Sequence, residues 1–160
     1  MAEQKTNVMR ALDQKKVRYT PHEYPHGAGA VDGVTVAGLI GVAPEQVFKT
    51  LVTRGASKSI YVFVIPVAAE LDLKKAARAV GEKSIAMIHV SEITALTGYV
   101  RGGCSPIGMK KQYQTVYHES ALEQQTIIVS AGKIGSQVEL EPNALATLTR
   151  GKFADIITED

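Results

Sequence analysis

The segment Ile60-Tyr61-Val62-Phe63-Val64-Ile65-Pro66-Val67 constrains this chain more than any other. Side chains of a strand alternate between two faces. Both faces are apolar here, so the strand belongs in the middle of a sheet with packed layers on each side. It follows a second β-rich run, Phe48 to Thr53, across the turn Arg54-Gly55-Ala56-Ser57-Lys58, which reads as a hairpin. The apolar stretch Ile60–Ala69 is about half the roughly 20 residues that a membrane span needs. With 160 residues and 45% hydrophobic content, the chain has material for one core, and a single domain over 1–160 is expected.

The flanking segments alternate between helix and strand without a regular order. Thr6 can cap a helix to about Lys16, and Val17 to Glu23, which contains Pro21, reads as an edge strand. Asp32 can cap a helix that Gly41 ends, and Asp72 one that Gly81 ends. Ser84 to His89 reads as a buried strand, and Ser91 opens a short helix stopped by Gly98. Thr115–His118, Thr126–Ser130, Gln137–Leu140 and Phe153–Ile157 read as strands, and Pro142 opens a helix through Thr149. This order differs from the strict strand–helix alternation of a doubly wound sheet. The expectation is an α+β fold: a mixed, strongly curved, barrel-like sheet with peripheral helices.

Charge and cysteine content narrow the function. A net charge of +2 is too small for binding by bulk charge alone. One cysteine excludes an internal disulfide framework and a Cys-rich zinc site. The polar start Met1-Ala2-Glu3-Gln4-Lys5-Thr6 is unlike a signal peptide, so a cytoplasmic protein is expected. Gly103-Cys104-Ser105-Pro106-Ile107 imitates a nucleophile elbow, but Ile107 stands where that turn needs glycine and Pro106 where its helix begins. His22 and His26 are separated by Pro25, so they do not form a helical metal pair. His89 reads as a core residue at a strand end, and Cys104, without a local base, as an inert thiol. No metal and no cofactor are expected.

Two features point to chemistry. Lys49 is a cation within the apolar strand Phe48-Lys49-Thr50-Leu51-Val52, so it faces either solvent or a cleft. The run Gly102-Gly103-Cys104-Ser105-Pro106-Ile107-Gly108 is either a tight loop or a place where backbone N–H groups meet an anion or a developing oxyanion.

Together with Gln46-Val47-Phe48-Lys49-Thr50-Leu51, Ala69-Glu70-Leu71-Asp72-Leu73-Lys74-Lys75, Thr97-Gly98-Tyr99-Val100-Arg101 leading into that loop, Val129-Ser130-Ala131-Gly132-Lys133 and Lys152-Phe153-Ala154-Asp155-Ile156, these residues make the chain resemble the YbaK/EbsC family. These are trans-editing aminoacyl-tRNA deacylases related to the editing domain of prolyl-tRNA synthetase. The resemblance implies hydrolysis of mischarged tRNA, typically cysteinyl-tRNA for proline. It also implies aminoacyl-tRNA as substrate and prolyl-tRNA synthetase as a partner. It puts the family's lysine on Lys49, its cleft tyrosine on Tyr24, its loop glycine on Gly102 and its strand-end serine on Ser130.

The site expected from this is Lys49, Gly102 and Gly103 for catalysis, with Tyr24, Thr50, Ser105, Ser130 and Gln137 binding substrate. The chain departs from the family at three places: no phenylalanine in Gly29-Ala30-Val31-Asp32-Gly33, Gln137 for an acidic residue and Ile134 for a basic one. A second reading, a non-catalytic module that binds tRNA or a synthetase, shares the expectation of a basic rim. Lys15-Lys16, Lys74-Lys75 and Lys110-Lys111 are the pairs that could form it.

Overall fold

The computed structural model describes residues 5–25 and 31–159, and the doubly apolar strand lies at the centre of its larger sheet. The elements are α1 (Asn7–Gln14), β1 (Thr20–Glu23), α2 (Gly33–Ile40), β2 (Phe48–Gly55), β3 (Ile60–Pro66), α3 (Leu73–Val80), β4 (Ile85–Met87), α4 (Ile93–Thr97), β5 (Gln114–His118), β6 (Ile127–Lys133), β7 (Ser136–Leu140), α5 (Pro142–Thr149) and β8 (Lys152–Ala154). One sheet has the order β4-β2-β3-β5-β8, and the other β1-β7-β6. The β2–β3 hairpin is antiparallel, with Lys49 opposite Ile65, whereas β3–β5 and β5–β8 are parallel.

The two faces of β3 feed two cores. Phe63 and Ile65 pack with Val116, Ile156 and the α3 residues Ala76 and Ala77. Val62 and Val64 join Phe48, Tyr117, α1 through Val8, Met9 and Leu12, and the smaller sheet through Val129, Val138 and Leu140. Removing these chains from water, at about 25 cal/mol per Å² of apolar surface, supplies the main drive to fold.

Local signals place the helix ends. Thr6 Oγ1 accepts from Met9 N–H, Asp32 Oδ1 from Thr35 N–H, and Asp72 Oδ1 from Lys74 and Lys75 N–H. Gly41, Gly81 and Gly98 close α2, α3 and α4 in the left-handed conformation. Helix α1 ends at Gln14, short of Lys16.

Four expectations need correction. The strands form two sheets, and neither closes among the described residues. The segment Ser84–His89 is not a buried strand: only Ile85–Met87 pairs, at the sheet edge, and Met87 is half exposed. Of that segment only Ile85 reaches the core. His89 is therefore exposed; it precedes a 3-10 turn, Val90–Glu92, that leads into α4. The last strand stops at Ala154, and Ile157 makes an isolated bridge to Leu71.

Candidate functional site

The two sheets part along β2, and the gap makes the site. Strand β4 pairs only with Thr53–Gly55, while Val47 bridges to Ile128 of β6. Between these points the edge of β2 has no strand partner among the described residues. Val47 C=O accepts from Val67 N–H on the hairpin side, and Val52 C=O from Ile88 N–H on the β4 side. Alternation in an antiparallel ladder then turns the backbone groups of Thr50 to the open edge.

A cleft of about 600 Å³ follows this edge. Phe48, Lys49, Thr50 and Leu51 form one wall, and Tyr24, Ser130 and Gln137 of the smaller sheet another. The first turn of α2 adds Asp32, Gly33 and Val36, and the loop after α4 adds Arg101, Gly102 and Cys104. A Cβ on Gly33 would lie 2.3 Å from Val67 Cγ1, so only glycine lets α2 approach the strand end this closely.

Lys49 is half buried in this wall, and its ammonium has no hydrogen-bond or ion-pair partner among the described residues. The carboxylate in the same cleft, Asp32, is already engaged by Thr35, through its N–H at 3.0 Å and its hydroxyl at 2.7 Å. Those bonds, the backbone one foremost, hold Asp32 below the usual carboxylate range. Among the described residues Lys49 is thus a positive charge without a fixed counter-charge.

Two buried oxygens share the cleft and also lack a partner among the described residues: Thr50 Oγ1 and Gln137 Oε1. A buried polar atom without a partner costs about 1–3 kcal/mol. Such atoms at a cleft wall are what a ligand's donors would satisfy. Ser130 Oγ is less free, since it accepts from Gly132 N–H at 3.1 Å. Tyr24 is buried, and its N–H donates to Gly135 C=O at 3.0 Å.

The glycine pair divides. Gly103 N–H donates to Val100 C=O at 3.0 Å, and Gly102 has φ of +86°. This is the pattern of a type II turn, with Gly102 at the position that demands positive φ. Gly102 is exposed at the cleft, but Gly103 is buried against the backbone of Lys133 with its N–H committed. Gly103 therefore does not join the cleft. Nor does Ser105, which is fully buried with its Oγ accepting from Ile107 N–H. Six of the expected residues, Lys49, Gly102, Tyr24, Thr50, Ser130 and Gln137, converge.

Cys104 lines the cleft, but burial pushes its thiol up to about 11. It is neutral at pH 7 and a poor nucleophile. Among the described residues no histidine lines the cleft. His22 binds Glu139 instead, at 2.7 Å. Thr126 hydroxyl at 2.5 Å and Gln46 also donate to that carboxylate, which lies below its ordinary range chiefly through Thr126. This network fastens β1, which leads to Tyr24, onto β7. His26, Gly29 and Ala30 lie outside the described residues. Among the described residues no group of three His, Cys, Asp or Glu could hold a metal, and no helix is long and apolar enough to cross a membrane.

Sequence reasoning missed Arg101 and the first turn of α2 as cleft walls. Arg101 carried one signal, its place just before the paired glycines; the helix start carried one too, since the segment 29–33 is where the resemblance expects a cleft phenylalanine.

The aminoacyl-tRNA editing domain family matches residues 29–148. A protein of Enterococcus faecalis (strain ATCC 700802 / V583), named as a candidate Cys-tRNA(Pro)/Cys-tRNA(Cys) deacylase, EbsC, is 48% identical over 158 residues, 99% of this chain and 96% of that one. The crystal structure of a candidate trans-editing enzyme for prolyl tRNA synthetase superposes with a TM-score of 0.82 at 26% identity, covering 95% of both chains. The hypothetical protein APE2540 shares the fold, with a TM-score of 0.85 at 21% identity over 96% of this chain and 100% of its own. With this coverage and this identity, the chain belongs to the aminoacyl-tRNA editing domain family.

Proposed function

We propose that the chain is a trans-editing hydrolase that cleaves the ester between a wrongly attached amino acid and tRNA, with cysteinyl-tRNA for proline as the main substrate. One observation carries this reading: among the described residues the Lys49 ammonium has no counter-charge and shares a cleft with two buried, unpartnered oxygens, Thr50 Oγ1 and Gln137 Oε1, and with no histidine. Such a site is equipped to hold and polarise a substrate rather than to attack it. An aminoacyl ester is activated enough for that to suffice, and the name of the E. faecalis relative agrees.

The thiol of the esterified cysteine gives up its proton and attacks its own carbonyl carbon. The tetrahedral oxyanion collapses and expels the ribose oxygen, which takes a proton. The cysteine leaves as a strained thiolactone that water opens to the free amino acid. The nucleophile is tethered to its target, so proximity supplies much of the gain. Lys49 and Gly102 N–H are the groups for the developing oxyanion, each such donor being worth about 10²–10³ in rate. Thr50 Oγ1 and Gln137 Oε1 accept from the α-ammonium, and Tyr24 and Ser130 bound the amino-acid end. Prolyl-tRNA synthetase, the source of the mischarged product, is the partner this reading calls for.

Catalytic amounts of protein incubated with cysteinyl-, alanyl- and seryl-tRNA for proline should release many esters per enzyme from the first. Lys49→Ala should lower that rate at least about 100-fold with an unchanged melting temperature. Turnover that stays below one ester per protein would instead mark a binding module, and near-normal turnover by Lys49→Ala would remove Lys49 from the site.

A further inference from the structure

The basic pairs of the sequence are not equivalent once folded. Lys75 is spoken for, held by Asp155 at 2.9 Å and Glu159 at 3.4 Å. Lys16 follows Asp13 and faces a groove that also contains Glu139 and Glu141. Lys110 and Lys111 are both exposed and without a carboxylate partner among the described residues, as Lys15 and Lys74 are, but they alone of these lie at the root of the loop that borders the cleft. Two other exposed, unpaired cations belong with them, Arg101 and Lys133.

The fold gathers three of these around the loop after α4, which borders the cleft, and Lys111 follows Lys110 in the chain. Arg101 borders the cleft beside Gly102. The next residue, Gly103, sits against Lys133, whose Cα lies 3.0 Å from where a Gly103 Cβ would be. At the root of the same loop, Lys110 N–H donates to Thr97 C=O, and the Lys110 stem lies over Gly98, its Cγ 3.3 Å from a Cβ there. The two segments that meet here, residues 93–118 and 124–138, contain no Asp or Glu. Helix α1, which touches this edge through Val8, has none before Asp13, and Lys5 neutralises that one at 2.6 Å. Cations without carboxylate partners among the described residues, beginning at a cleft wall, have the charge that a phosphate backbone needs.

We propose that Arg101, Lys110, Lys111 and Lys133 form the seat for the sugar–phosphate backbone of the acceptor end of tRNA. The seat delivers the terminal ribose to Lys49. This rests on the editing reading of the cleft and names how its macromolecular substrate is held. Phosphate contacts position a nucleic acid without reading its sequence, so the seat serves any tRNA whose aminoacyl group fits. Selection then falls to the cleft and to any synthetase partner.

The test uses an uncharged RNA hairpin carrying the acceptor stem and its single-stranded 3′ end, with fluorescence anisotropy read from about 20 to 200 mM KCl. The wild type should bind with a log K that falls linearly against log salt. Each lost phosphate contact reduces the slope by about 0.7–0.9. The triple variant Lys110→Ala/Lys111→Ala/Lys133→Ala should lose about two units of slope or more and keep its melting temperature. The control Lys74→Ala/Arg78→Ala, on α3, should match the wild type. Absence of wild-type binding at the lowest salt, an unchanged slope in the triple variant, or an equal loss in the control would each overturn the seat. Because the hairpin carries no ester, the result is independent of turnover. Binding that shifts as expected without hydrolysis of cysteinyl-tRNA would refute the editing reading and leave the seat standing.

Discussion

Thr50→Val separates a structural hydroxyl from a functional one. Thr50 Oγ1 is shut away from solvent with no partner among the described residues, which costs about 1–3 kcal/mol. Valine keeps the β-branched shape that suits β2 and replaces the hydroxyl with a methyl. The variant should therefore gain about 1 kcal/mol, which raises the melting temperature of a 160-residue domain by about 2–4 °C. The substrate should feel the opposite effect. A hydrogen bond from an α-ammonium is charge-assisted and worth about 1.5–3 kcal/mol, or roughly 10–150-fold in kcat/KM. Paired thermal melts without substrate and steady-state turnover of cysteinyl-tRNA for proline read both quantities. A more stable, less active protein supports the reasoning. A fall in melting temperature would show that the hydroxyl is satisfied within the protein. Unchanged turnover at raised stability would show that no substrate donor reaches it.

Two further substitutions probe the loop. Gly102→Val should lower stability by about 1–3 kcal/mol, because φ of +86° excludes a β-branched residue, and should lower turnover with it. Gly102→Ala should lie between, and a Val variant with wild-type melting and turnover would contradict both the turn and the site. Cys104→Ala should keep turnover within about tenfold, roughly 1.4 kcal/mol of barrier, since burial holds the thiol neutral at pH 7. A larger loss at normal stability would revive a thiol nucleophile.

Helix ends were legible because they are set by residues within one turn. Thr6, Asp32 and Asp72 cap their helices, and Gly41, Gly81 and Gly98 close theirs, through contacts that the local sequence specifies. The central place of β3 was legible for a similar reason: apolar residues on both faces admit no other position. His89 was misread because burial belongs to a neighbourhood. Its segment looks like β3 in composition, but it pairs over only three residues at the sheet edge.

What the sequence determined by itself was therefore the local backbone and the central strand, and six of the eight residues it put forward as a site line one cleft. Only the tertiary structure decided how those residues are divided. It placed Gly102 in the cleft and turned the Gly103 N–H inward, although the two are adjacent in the chain. Among the described residues it left Lys49 without a carboxylate while binding Asp32 to its own helix, and it tied Lys75 into ion pairs while leaving Lys110 and Lys111 unpaired. The physical reason is that charge pairing and hydrogen-bond satisfaction depend on which distant segments meet. Here they meet where two sheets part along β2, and no local pattern of residues encodes that gap.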